Sequence, residues 1–230
     1  ALKEQLAQLG KLNQSMVDEA SNLTRALKGE AQTQGAWGEM ILETILQKSG
    51  LREGIEYDSQ ESATDAEGRR LRPDVVVNLP DGERIVVDSK VSLTAFERFV
   101  NSDDEGEKTA ALAAHVTSLR SHVDELASKD YTGAVGSRLD YVIMFVPIEG
   151  ALAVALSADV ELAGKAIERN VAIATPTTLM TVLRTVSAMW KIERQHRNAE
   201  EIAKRAGLLY DKFVGFVDSL DGVGQRIQQA

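Results

Sequence analysis

Over the first 29 positions, apolar residues recur at alternating intervals of four and three. Leu2, Leu9, Met16 and Leu23 mark one seam position, and Leu6, Asn13, Ala20 and Leu27 the other. This spacing suits a helix that supercoils with a partner, and Asn13 falls where a buried polar residue fixes register and oligomeric state. The same stripe could instead lie on the chain's own core. Beyond Gly29 the period changes repeatedly. Met40, Ile41, Ile45 and Leu46 predict a helix over about 35–48, stopped by Gly50. Extended segments are expected at 55–60, 74–79 and 85–90, with a loop over 61–68 and a turn at Pro80-Asp81-Gly82. A helical pattern covers 92–128, broken by the acidic run at 102–106. Tyr141 to Val146 is a continuous apolar run, the pattern of a buried central strand. Helices over 150–169, a strand at 171–174, and a long helix capped by Thr175 with Pro176 in its first turn complete the series. The last segment repeats the heptad spacing at Leu209, Phe213, Phe216, Leu220, Val223 and Ile227. Its glycines weaken it as an isolated helix, so it is expected to lean on another element, the core or the N-terminal helix.

These elements predict an α/β domain over residues 30–206, preceded by a coiled-coil helix over 1–29 and followed by a C-terminal helix over 207–230. The chain has no cysteine, which excludes disulfides and thiolate metal sites and fits a reducing, cytoplasmic setting. No apolar run reaches the roughly 18 residues of a membrane helix, so no membrane contact is expected of this segment. It opens in mid-repeat on Ala1, as a piece of a longer chain would. The net charge of −9 opposes contact with a polyanion, so any nucleic-acid partner must be met by a local basic patch.

The informative stretch is Arg72-Pro73-Asp74 through Val87-Asp88-Ser89-Lys90. If Val75 pairs with Val87 and Val77 with Ile85, Asp74 stands across from Asp88, and Lys90 projects from the same face. That register centres the hairpin on Asp81 and requires a three- or five-residue connection. A two-residue turn would put the aspartates on opposite faces. Two carboxylates so opposed repel, and a hard divalent cation would relieve them. The alternative is a strand-entry Asp74 with Asp88 and Lys90 as a surface ion pair. Glu39, about one turn into the helix after Gly35-Ala36-Trp37-Gly38, could supply a third carboxylate, or could simply be solvated.

Proline-Asp on one strand, Asp-x-Lys on the next and Glu on the preceding helix resemble the PD-(D/E)XK nuclease superfamily. More closely, the chain resembles the RmuC family of DNA recombination proteins. That resemblance rests on Trp37-Gly38-Glu39, Tyr57 with Gln60, Arg72-Pro73-Asp74, Val87-Asp88-Ser89-Lys90-Val91, Lys129-Asp130-Tyr131, Met144 to Glu149, and Thr175 to Leu179. It implies a restriction-endonuclease-like αβββαβ core, with a mixed sheet flanked by helices and long helices at both ends. It also implies metal-dependent DNA phosphodiester hydrolysis with Mg²⁺ or Mn²⁺. Asp74, Asp88 and Glu39 would be the metal-binding carboxylates, Lys90 the catalytic lysine, and Gln60 and Glu149 further candidates. Family members carry an N-terminal membrane anchor followed by a coiled coil, so the full-length protein would be tethered.

For DNA, Arg69, Arg70 and Arg72 stand just before the Asp74 strand. Residues 184–205 hold Arg184, Lys191, Arg194 and Arg197 within a local excess of positive charge, with Trp190 and His196 interleaved. A solvated charged helix with Trp190 in the core would leave the same pattern. The three histidines lack metal-pair spacing, and no phosphate-binding glycine loop is present. The N-terminal heptads predict a homodimer. The competing reading is a non-catalytic coiled-coil scaffold whose head binds DNA or protein.

Overall fold

The computed structural model describes residues 31–59, 63–64, 68, 70–89, 92–129 and 131–228. The N-terminal heptads and the candidates Gln60, Arg69 and Lys90 lie outside them. Helix α1 spans Ala31–Ser49. Strand β1 (Tyr57–Ser59) follows, then a small hairpin of β2 (Ala63–Thr64) and β3 (Arg70–Leu71), then β4 (Val75–Asn78) and β5 (Arg84–Asp88). Helices α2 (Thr94–Asn101), α3 (Glu105–Ala127) and α4 (Tyr131–Val135) lead to β6 (Val142–Phe145). Helices α5 (Glu149–Ala158) and α6 (Leu162–Glu168) precede β7 (Val171–Ala174), and α7 covers Pro176–Gln228. Contacts divide the chain into a unit ending at Ser187 and a second unit over 188–230, each described by itself.

The main sheet of the first unit runs β1-β4-β5-β6-β7. Its first three strands are antiparallel neighbours, while β6 and β7 run parallel to β5 and to each other. Pairing of β4 with β5 is Val75↔Val87, Val76↔Val86, Val77↔Ile85 and Asn78↔Arg84, the register expected from the alternation of apolar residues. Five residues, Leu79 to Glu83, connect the strands; within them Leu79 N–H donates to Glu83 O and Gly82 N–H to Leu79 O. Gly82 closes that turn at φ 87°, a conformation open to glycine at little cost.

One face of the sheet contributes Val76, Val86, Val142, Met144 and Val171 to a core cluster with Phe96, Leu119, Val123 and Leu126 from α2 and α3. The alternate row, including Val75, Val77, Val87, Ile143 and Phe145, is buried as well. By pleat parity it faces the other side, where Leu42 and Leu46 of α1 line a cleft with Val75. The acidic break at 102–106 is where α3 starts: Asp104 accepts from Glu107 N–H at 2.7 Å and caps the helix. At the start of α7, Thr178 Oγ1 accepts from Thr175 N–H at 2.7 Å, and Leu179 N–H donates to Thr175 O. The stretch read as a loop over 61–68 contains β2, which pairs with β3. Two-residue strands are too short to leave a periodicity.

Candidate functional site

Asp88 is the last residue of β5, and Asp74 immediately precedes β4. The ladder of β4 with β5 ends at Val75↔Val87, so Asp74 and Asp88 each stand one residue beyond its last pair. Asp88 has 0% exposure, which removes the alternative of a surface ion pair. Its surroundings come from the helical layer: Tyr131 OH donates to Asp88 Oδ1 at 3.1 Å, and His122 Nε2 lies 3.5 Å from Asp88 Oδ2. Asp74 is half-buried and is held from the neighbouring strand. Ser89 N–H and Oγ–H both donate to its Oδ2, at 2.8 and 2.9 Å. Burying a carboxylate is expensive unless donors replace water, and the Tyr131 hydroxyl and the two Ser89 groups are such donors, whereas His122 Nε2 makes no hydrogen bond.

The field around these aspartates is strongly negative, and Tyr131 registers it. Burial, then the charge of Asp88, its hydrogen bond to the hydroxyl, and the charge of Asp74 push the phenol above its ordinary range, so it is a fixed donor. Lys129 sits over the Tyr131 ring at 5.6 Å and also pairs with Glu125. The hydrogen bond from Lys129 holds the Glu125 carboxyl below its usual range.

Asp74 also opens onto a cleft of about 230 Å³ lined by Glu39, Glu43, Glu53, Ser59, Leu42 and Leu46. Glu39 and Glu43 stand one turn apart on α1 and so share a face. Gly38 sets the helix close to the sheet's end: a Cβ there would meet Pro147 Cγ at 3.6 Å and Ser89 O at 3.8 Å, ordinary contact distances. Gly35 has nothing within 4 Å, so close approach explains only one of the two glycines.

Among the described residues, the polar side chains lining the cleft all end in oxygens, the donor type taken by a hard divalent cation. Among the described residues, no three His, Asp or Glu side chains gather closely enough to cage an ion. A hard cation at this cleft would have to be held by one or two carboxylates, such as Asp74 and Glu39, with waters and phosphate oxygens completing its shell. Asp88, the other expected metal-binding carboxylate, is fully buried and is not among the residues that line this cleft.

The remaining candidates are dispersed. Glu149, in the first turn of α5, accepts from Thr177 N–H at 2.8 Å and so serves the start of α7. Arg70 and Arg72 are exposed, as is Arg184. In the second unit Lys191 is exposed, Arg194 and Trp190 are half-buried, and Arg197 pairs with Glu193 at 2.7 Å. Sequence reasoning missed His122 and the role of Tyr131, and it passed over Glu43 and Glu53. Glu43 carried a signal, its spacing from Glu39. Tyr131 stood in a stretch that carried the family resemblance, whereas nothing in the sequence marks His122.

The mixed sheet, its helical layers and the two aspartates define an α/β domain with an acidic cleft at one sheet end. The chain belongs to the RmuC family, whose model matches residues 1–230. It is 50% identical over all its 230 residues to the "DNA recombination protein RmuC homolog" of Pseudomonas aeruginosa, of which it covers 51%. It is 46% identical to the protein so named in Yersinia pestis and 45% identical to "DNA recombination protein RmuC" of Escherichia coli K12, covering all of itself and 48% of each. The chain thus spans about half the length of these curated relatives. No solved structure matches it. Among the described residues, no helix is long and apolar enough to cross a membrane.

Proposed function

We propose that this chain is the phosphodiesterase head of a DNA recombination protein, cleaving the DNA backbone with Mg²⁺ or Mn²⁺. The observation that supports this reading is the acidic cleft that Asp74 lines together with Glu39, with the buried Asp88 at the end of the paired strand β5. The names of the curated relatives support the recombination role. The element order supports a restriction-endonuclease-like core: α1, the antiparallel β1, β4 and β5, the α2–α4 crossover and the parallel β6 follow the αβββαβ succession.

In this reading Asp74 and Glu39 would hold the cation, which when bound would supply Lewis-acid stabilisation of the phosphoryl oxygens and an activated water. Ser89 fixes the rotamer of Asp74 through two hydrogen bonds. Asp88, locked by Tyr131, adds negative potential beneath the site. Lys90, two residues beyond Asp88, would offset charge developing on the phosphate. Arg70 and Arg72, just upstream of Asp74, would grip the DNA backbone.

The test is cleavage of labelled single- and double-stranded DNA by the purified chain, with and without Mg²⁺ or Mn²⁺. Asp74→Ala and Lys90→Ala are expected to lower the rate by on the order of 100-fold or more, with their melting temperatures checked in parallel. Equal cutting by wild type and variants overturns the proposal. A wild type that binds DNA, takes up no metal in calorimetry and cuts nothing identifies a non-catalytic head, the reading that the complete burial of Asp88 would then favour.

A further inference from the structure

The second unit leaves an apolar stripe uncovered. Ile202, Leu209, Tyr210, Phe213, Phe216 and Val217 are between 38% and 70% exposed. Ala199, Ile202, Ala206, Leu209, Phe213 and Phe216 follow one another at intervals of three and four, and Leu220, Val223 and Ile227 continue the series in sequence. Such a strict repeat is the pattern of a helix wound around another helix, not of one laid on a sheet. This helix also contains Gly207, Gly215, Gly222 and Gly224. Each costs roughly 1 kcal/mol of helix propensity relative to Ala, so a partner's packing is what makes a long helix here favourable.

We propose that this stripe pairs with the same stripe of a second copy of the chain, parallel and in register, as a two-stranded coiled coil over about residues 199–227. The flanking positions select this arrangement. In the heptad set by the seam, the positions preceding Ala199, Ala206, Phe213, Leu220 and Ile227 are Asn198, Arg205, Lys212, Ser219 and Arg226. The positions following Ile202, Leu209, Phe216 and Val223 are Ala203, Tyr210, Val217 and Gly224. One flank therefore carries three basic residues and no acidic one, and the other is uncharged.

An antiparallel self-pair sets basic flank against basic flank, which is repulsive. A parallel pair sets each basic residue against the uncharged residue five positions on in its partner. Arg205 then meets the partner's Tyr210, and Lys212 the partner's Val217. Their aliphatic stems cover those exposed side chains, and the guanidinium lies against the ring. Arg205 already meets Glu201 on its own helix, so its charge is balanced while its stem remains usable. With three aromatics per helix at roughly 150 Å² each and the aliphatic seam besides, the pair approaches the about 800 Å² per partner typical of stable interfaces. This inference does not rest on the proposed catalysis.

Sedimentation and light scattering of the full chain are expected to give twice the chain mass. The chain has no cysteine of its own, so Leu209→Cys should form an inter-chain disulfide under mild oxidation. Asp211→Cys, on the opposite helix face, should not. Phe213→Glu with Phe216→Glu is expected to weaken dimerisation at least about 100-fold with the first unit's thermal transition unchanged, because these side chains are exposed in the single chain. Leu9→Glu with Met16→Glu should leave the dimer intact. A wild-type monomer overturns the proposal. So does a dimer lost through the residue 9 and 16 changes but not through those at 213 and 216, or one in which Leu209→Cys fails to cross-link.

Discussion

Tyr131 and His115 are both almost completely buried polar side chains, and their hydrogen bonds give them opposite consequences. The Tyr131 hydroxyl replaces water for the carboxylate of Asp88. Tyr131→Phe keeps the ring and removes that donor, and a hydrogen bond to a charged group contributes about 1.5–3 kcal/mol. Chemical denaturation is expected to show a loss of that size, and an unchanged midpoint would show that the bond is dispensable. His115 has 0% exposure. Its Nε2 lies 2.9 Å from Ala151 O, a pure acceptor, so the proton sits on Nε2, and Nδ1 has no hydrogen-bond partner in the structure. Burial holds the imidazole below its ordinary value. Folded His115 therefore stays neutral while the unfolded chain takes up a proton as pH falls through about 6.5. Stability is full above that pH and declines below it, by at most about 1.4 kcal/mol per pH unit from this residue. Urea denaturation at pH 7.5, 6.5 and 5.5 should show the decline, and His115→Leu should flatten it. An equal slope in both proteins would place the titration elsewhere.

At the scale of elements, the two ends of α1 are held differently. Gly50 ends the helix at φ 89°, and a Cβ there would stand 3.2 Å from Ser187 Oγ. Gly50→Ala meets both a left-handed backbone and a close neighbour, and should cost about 1–2 kcal/mol in denaturation. Gly38→Ala meets only ordinary contacts and should be tolerated. A larger loss at Gly38 than at Gly50 would contradict this packing. The hairpin was the most legible part of the fold. Val75, Val77, Ile85 and Val87 pair as their alternation with Asp74, Asn78, Arg84 and Asp88 predicts, and a one-residue slip would exchange the residues packed on the two buried faces. Glu39 was legible as a helix residue beside the site because Gly50 and the apolar spacing delimit α1. What the sequence could not reveal depends on packing between distant segments. His122 reaches Asp88 only because α3 crosses the sheet. The short α4, which delivers Tyr131, is a five-residue helix with no period to read. Glu53 lines the cleft from the link between α1 and β1, where no local pattern places it.

For the molecule as a whole, the net charge of −9 sets the terms on which DNA could be held. A uniformly acidic surface repels a polyanion, and the cleft with Glu39, Glu43, Glu53 and Asp74 sharpens that repulsion where the backbone would have to come closest. Binding must then draw on a small number of cations beside the cleft, and the exposed Arg70 and Arg72, on and just after β3, are the nearest in sequence to Asp74. Each phosphate neutralised by such a residue releases counterions, so affinity falls with salt at a slope that counts those contacts. Arg70→Ala and Arg72→Ala should each weaken binding to unrelated DNA sequences alike and reduce the slope of log affinity against log salt by about 1. Fluorescence anisotropy across a salt series, in calcium or without divalent ions so that cleavage does not intervene, measures both. A loss confined to particular sequences would assign these arginines to base readout, and an unchanged slope would put the phosphate contacts elsewhere. Addition of Ca²⁺ should strengthen binding for wild type but much less for Asp74→Ala, because a cation held at the cleft would offset the carboxylates that otherwise repel the phosphate. Equal strengthening in both proteins would mean that the ion acts on the DNA alone.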